Sequence, residues 1–173
     1  PKLAELPPGT ALEITYNGTT IHALITDLCP SSSNSNWTSK SSYFFDLAKD
    51  AFTKLADESL GVIDVTFKTI PYPTKSNIFF QAKDGINDYW LAGRFYNMRY
   101  PLQKVEISIN GSAYKQMDRL SSQNNWYKVD GQNLISGKKK FRLTDVYGQV
   151  IETSEISYVV AMGTYNCGKN FGY

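Results

Sequence analysis

Apolar residues recur along most of this chain at every second position, in short runs separated by polar turn residues. LEIT and TIHALITD flank Asn17-Gly18, a pair that supplies the positive φ values of a tight hairpin, so two paired strands are expected there. SSSNSNWTSKSS, residues 31–42, reads as a polar loop, with Trp37 as an anchor or a groove flank. The period then changes. In DLAKDAFTKLA, Leu47, Ala51 and Leu55 share one face at i, i+4 and i+8, which predicts a short helix with Gly61 as its stop. VIDVTFKTI returns to alternation and puts Ile63, Val65 and Phe67 on one side of a strand.

Two prolines in PYPTKSN cannot continue a strand, so residues 71–76 read as a stiff linker. Beyond it, NIFFQAK, YWLAGRFY, VEISI-NG-SAYKQM, WYKV-DGQ, KKFRLTD-VYG-QVIETSEI and ISYVVAM are short strands with turn signals between them. Such spacing predicts a β-sandwich of about 100 residues. The expected organisation is a first β-rich part over 1–70, the linker, and a sandwich over 77–173.

Composition agrees with a mainly β fold. Of 173 residues 14% are aromatic, and a 42% hydrophobic content suffices for a buried core. The net charge of +2 is too mild to point to nucleic acid and suits a neutral or weakly acidic partner. No run is long enough to span a membrane. A start at Pro1 without Met predicts a processed or incomplete chain. Asn17, Asn36 and Asn110 head glycosylation sequons, which favour secretion. Cys29 and Cys167 fit no metal-binding spacing; the sequence leaves open whether they pair with each other or Cys29 pairs elsewhere. No cofactor or metal is implied. His22, the lone histidine, falls mid-strand with a surface or core role. Lys138, Lys139 and Lys140 read as a solvated turn edge, with a weak, salt-screened attraction to acidic polysaccharide.

Two sets of residues carry candidate chemistry. Asp27 and Asp46 end apolar runs on either side of the polar loop; taken alone, Asp46 stands where a helix N-cap would be. Tyr89, Trp90 and Trp126 are either core residues or an exposed aromatic platform. Neighbours in a regular strand point to opposite faces, so Tyr89 and Trp90 join one platform only at a strand start or bulge. Asn87-Asp88 marks such a start.

These segments together resemble the expansin family, the plant and microbial proteins that loosen cell walls. GTALEIT, ITDLCP, FFDLAKDAFTKLAD and GVIDVTFKTI are similar to the second half of the expansin double-psi β-barrel, where Asp-x-Cys-Pro is followed by Phe-Asp-Leu and a helix with Ala-Phe. DYWLAGRFYNMRYPLQKVEI, QMDRLSSQNNWYKVDGQNL, KFRLTDVYGQVI and TYNCGKNFGY resemble its carbohydrate-binding, immunoglobulin-like β-sandwich. The resemblance runs from about residue 8 to the end. Its early Thr-Tyr-Tyr and Ala-Cys-Gly elements have no counterpart, and Pro8-Gly9-Thr10-Ala11 stands where the family has Cys-Gly-x-Cys. About half of the barrel strands are therefore expected from a preceding fragment, a separate chain or a second copy, because half a barrel exposes strand edges and apolar surface.

The resemblance implies a secreted wall protein that binds cellulose or a related β-glucan and loosens it without cutting. Thr26, Asp27 and Asp46 would line the barrel groove. Tyr89, Trp90 and Trp126 would form the platform, its third position falling at Trp126 or Ser121. At the Cys29 position, microbial relatives can carry a glycan-contacting aromatic; packing or a disulfide is the reading for this thiol. Two alternatives stay open. One is an endoglucanase-like hydrolase with Asp46 as general acid, whose base in related enzymes comes from an early strand not found here. The other is a passive glycan-binding or structural wall protein.

Overall fold

The computed structural model describes residues 6–27, 43–120 and 125–173. β1 (Ala11–Tyr16) and β2 (Thr19–Leu24) pair antiparallel, and φ values of 46° at Asn17 and 81° at Gly18 make the turn between them. β3 (Thr66–Ile70) joins the other side of β1, giving the order β2-β1-β3. One short helix, α1 (Lys49–Leu55), packs against β2. Its Leu55 is buried with Leu6, Leu12 and Ile14, and Phe45, Ile63, Val65 and Phe67 pack onto that cluster. The expected face of Ile63, Val65 and Phe67 is thus present. The strand itself begins only at Thr66, because β1 ends at Tyr16 and its ladder stops at Thr15↔Thr66.

The helix also starts later than its period suggested. Ala48 is the N-cap, in an extended conformation, and no side chain caps the helix. Asp46 lies two residues upstream, so the capping role is not what it performs.

The rest of the chain is a two-sheet sandwich. One sheet has the order β12-β4-β5-β9-β8, built from Thr164–Asn166, Phe79–Ala82, Trp90–Tyr96, Trp126–Asp130 and Asp118–Arg119. The other has the order β11-β10-β6-β7, from Val150–Glu152, Lys139–Asp145, Leu102–Ile109 and Lys115–Gln116. The chain crosses between them at buried Met117. Phe80, Phe95 and Phe141 form the centre of the core, with ring centroids 4.7–5.2 Å apart. Gly93 lies under Phe80: a Cβ there would stand 2.2 Å from its ring.

Some expected elements take other forms. Asp130-Gly131 closes no hairpin, because β9 and β10 belong to different sheets and residues 131–138 cross between them. ISYVVAM makes one bridge, Lys139↔Ile156, and the ladder position beside β4 goes to β12. Cys167 is a free thiol buried in the sandwich core, so it forms no disulfide with Cys29, which lies outside the described residues together with Asn36, Trp37 and Ser121.

Candidate functional site

The outer face of the five-stranded sheet follows from alternation. In β4 and β5, Phe80, Leu91 and Phe95 turn into the core, which leaves Phe79, Gln81, Trp90, Arg94 and Tyr96 on the other side. Register then aligns rows across the strands: Trp90 with Asp130, Ala92 with Lys128, Arg94 with Trp126 and Gln81, Tyr96 with Phe79. Directly paired residues share a face, so Trp90 and Trp126 lie on the same one. Their rows stand four residue steps apart, about 13 Å along β5.

Trp90 opens β5 because Asn87 folds back on it. The Asn87 Oδ1 accepts the backbone N–H groups of Tyr89 (2.9 Å) and Trp90 (3.1 Å). The neighbouring carboxylate, Asp88 Oδ1, accepts from Ile135 N, Ser136 N and Ser136 Oγ at 2.8–3.1 Å and so pins the 131–138 crossing beneath this turn. These hydrogen bonds, chiefly from Ser136, hold the Asp88 carboxyl below its ordinary range. Tyr89 stands just ahead of the strand, outside its alternation, and is 70% exposed. The geometric objection to an adjacent Tyr-Trp pair therefore falls away.

Trp126 is half-buried, and two cations lie near its ring, Arg94 Cζ 5.2 Å and Lys83 Nζ 5.5 Å from the centroid. Phe79 and Tyr96 stack in parallel at 5.5 Å and extend the aromatic row. Sequence reasoning missed this pair, although period two in NIFFQ and GRFY already turns one aromatic of each doublet outward. Arg119 faces the other way, over the Tyr127 ring, and donates to the Leu102 carbonyl at 3.0 Å.

The row leads to the first part of the molecule. A cleft of about 360 Å³ is lined by Gly9, Leu24, Ile25 and Thr26 on one side and by Gln81, Arg94, Tyr96 and Asn125 among others on the other. Gly9 permits this approach, with Met98 Cε 3.3 Å from where its Cβ would be. Thr26 and Asp27 are both exposed. Asp46 is placed elsewhere. It is exposed and lines a cavity of about 600 Å³ with Ile14, Phe45, Phe52, Phe67 and a second aspartate, Asp64. Thr26 and Asp46 thus border two different cavities.

The remaining candidates separate clearly. His22 lies on the exposed face of β2, 3.4 Å from Glu13, which also meets Lys68 at 2.7 Å; the Lys68 hydrogen bond foremost lowers the Glu13 carboxyl. Asn17 and Asn110 are exposed turn residues. The lysine run is not uniformly solvated. Lys138 pairs with Glu155 and Lys140 is exposed, but Lys139 is fully buried and donates to the carbonyls of Ile135 and Gly137. Strand alternation turns it inward, and burial pushes its ammonium down to about 8. Among the described residues no His/Cys/Asp/Glu group has the arrangement of a metal site, and no helix is long and apolar enough to cross a membrane.

No protein-family model matches the chain. Expansin-like protein 1 of Dictyostelium discoideum is 33% identical over 138 residues, covering 79% of this chain and 46% of that protein. Expansin-YoaJ of Bacillus subtilis (strain 168) is 27% identical over 107 residues, 62% of this chain and 44% of that one. The fold is similar to a crystal structure of a mutant Clavibacter michiganensis expansin in complex with cellohexaose. The TM-score is 0.78 at 18% identity, over 98% of this chain and 77% of that one. The chain spans about half the length of the curated relatives it matches.

Proposed function

Since this chain belongs to the expansin-like family, we propose that it binds cellulose or a related β-glucan in cell walls and loosens the non-covalent contacts between polymers without hydrolysing them. The observation that carries this reading is that Trp90 and Trp126, in separate rows, share one outer sheet face, continued by Phe79 and Tyr96. Flat aromatic rings on an exposed face stack on the apolar faces of sugars and tolerate sliding, because stacking has little directional demand. Tyr89 would cover one end of this track. Thr26 and Asp27 would receive the strand at the other, across the cleft, and Asp46 would act in the barrel groove.

The same reading gives the chain a secreted, wall-associated place, with the turn asparagines Asn17 and Asn110 open to glycosylation. It also includes a fragment, chain or second copy that completes the barrel, since the cavity beside Asp46 is walled by Phe45, Phe52 and Phe67.

One assay tests it. The protein is mixed with insoluble cellulose; bound protein and released reducing sugar are measured, and isolated wall strips are followed for extension under load. Binding that drops at least fivefold in Trp90→Ala, extension with wild type, and no sugar release are expected. Sugar above a boiled control would sink the non-hydrolytic reading. Extension untouched by Asp46→Asn would remove Asp46 from the groove.

A further inference from the structure

The charges on the outer sheet face are not evenly mixed. Asp118 and Asp130 gather around Lys128, which is in register with Asp118 and 3.6 Å from Asp130. The cations Arg94 and Lys83 gather around Trp126 instead. Neither of them enters an ion pair among the described residues. Arg94 donates from Nε to Gln81 Oε1 at 2.8 Å, which fixes the guanidinium plane and directs the fork of its terminal nitrogens away from that bond. Arg94 is exposed, and among the described residues it is the one charged side chain lining the cleft between barrel and sandwich. Gln81, Asn125 and Thr26 add neutral polar groups there, and Tyr96 adds an aromatic wall.

Neutral sugars also accept hydrogen bonds from a guanidinium, but a planar fork with no carboxylate partner among the described residues matches a carboxylate best. We infer that the cleft at Arg94, with Lys83 near the Trp126 ring, is a subsite for a sugar that carries a carboxylate, a uronic acid unit in or on a wall polysaccharide. The sugar face stacks against Trp126 or Tyr96 while its carboxylate takes the two-pronged donor geometry that Arg presents. Gln81 is the positioning residue for that fork. This subsite rests on the glycan-binding reading above and narrows the polymer it selects.

The test compares two forms of one polymer: cellulose, and cellulose with part of its C6 hydroxyls oxidised to carboxylates. The full chain is expected to bind the carboxylated form more tightly, on the order of fivefold at low salt, since a partly exposed charge pair is worth no more than that. The preference should fade above ~0.5 M NaCl. It should be lost in Arg94→Gln and reduced in Lys83→Gln, while Lys140→Gln keeps it. Equal binding of both forms by the wild type would overturn the subsite and leave the glucan reading standing. A preference that survives Arg94→Gln but vanishes in Lys138→Gln/Lys140→Gln would also overturn it, assigning the charge to the turn. Failure to bind either form would overturn both.

Discussion

The guanidinium of Arg99 lies 3.9 Å from the centroid of the Tyr173 ring. Around that stack the linker and the C-terminus are tied together. Arg99 donates to the carbonyls of Thr74 and Phe171, and its own carbonyl accepts the N–H of Tyr72. Asn170 donates to Ser76 and Asn97. A short proline-containing connection is thereby clamped from both sides, with the barrel edge at Gly9 resting on Met98 and Pro101.

Arg99→Ala should release this clamp. The stack and several hydrogen bonds are lost together, so the sandwich should lose about 1–3 kcal/mol by urea unfolding. The distribution of barrel-to-sandwich arrangements should broaden in small-angle scattering, and a chain ending at Asn170 should broaden likewise. Arg99→Lys should not restore it, because a compact ammonium has no planar fork that can lie flat on the ring while reaching the carbonyls of Thr74 and Phe171. A scattering profile identical to wild type in both variants would show that the linker is held by other contacts.

Gly93→Ala should be costly for a different reason. The added methyl would overlap the Phe80 ring and approach the Gln81 carbonyl at 2.8 Å, in a core with no room to yield. Overpacking of this kind costs about 1–3 kcal/mol. Phe80→Leu in the same chain should recover part of that loss. Equilibrium urea midpoints for the three chains measure it, and an unchanged midpoint in Gly93→Ala would contradict the packing.

How much of this was legible in the residues differs from place to place. The hairpin at Asn17-Gly18 was, because a two-residue turn with positive φ leaves few alternatives; at Asn110-Gly111 the same turn forms, but the β6–β7 ladder resumes only at Ile107↔Lys115. Strand pairing across distance was not. β12 takes the edge beside β4 while ISYVVAM does not, a choice made by which backbone reaches the free ladder of Phe79–Ala82 rather than by local pattern. At the site, Trp90 stood out by type, but Phe79 and Tyr96 drew no notice inside their apolar runs, because only register sets them side by side. Lys139 was hidden by its neighbours, since a run of three lysines hides the inward turn that alternation gives to the middle one.

Titration should expose that buried lysine. Its folded-state value of about 8 lies below the ordinary 10.5 of a lysine, owing to burial and opposed by Asp88. Between those two values the unfolded chain binds more protons, so stability should rise as pH increases from about 8 toward 10.5. At the acid end the slope has the same sign, because there too the unfolded chain binds more protons. Glu106 is lowered to about 2, first by the Arg142 hydrogen bonds at 2.8 and 2.9 Å and then by Lys104. Its contribution is present above about 4.5 and is lost as pH falls toward 2. Denaturant midpoints across pH check both limbs. Lys139→Met should flatten the alkaline rise, and Glu106→Gln the acid fall; either slope persisting in its variant would assign it to another group.

The thiol of Cys167 should behave as a sealed hydrophobe. It is fully buried in the sandwich core, and burial pushes it up to about 12, so almost no thiolate exists at neutral pH. In a Cys29→Ser chain, a thiol reagent should therefore leave the native protein unlabelled for hours and modify one group promptly in denaturant. Because reaction requires opening of the core, the labelling rate reports unfolding of the sandwich and should accelerate in Gly93→Ala. Prompt labelling of the native chain would mean that the core beside β4 opens locally, without the rest of the sandwich.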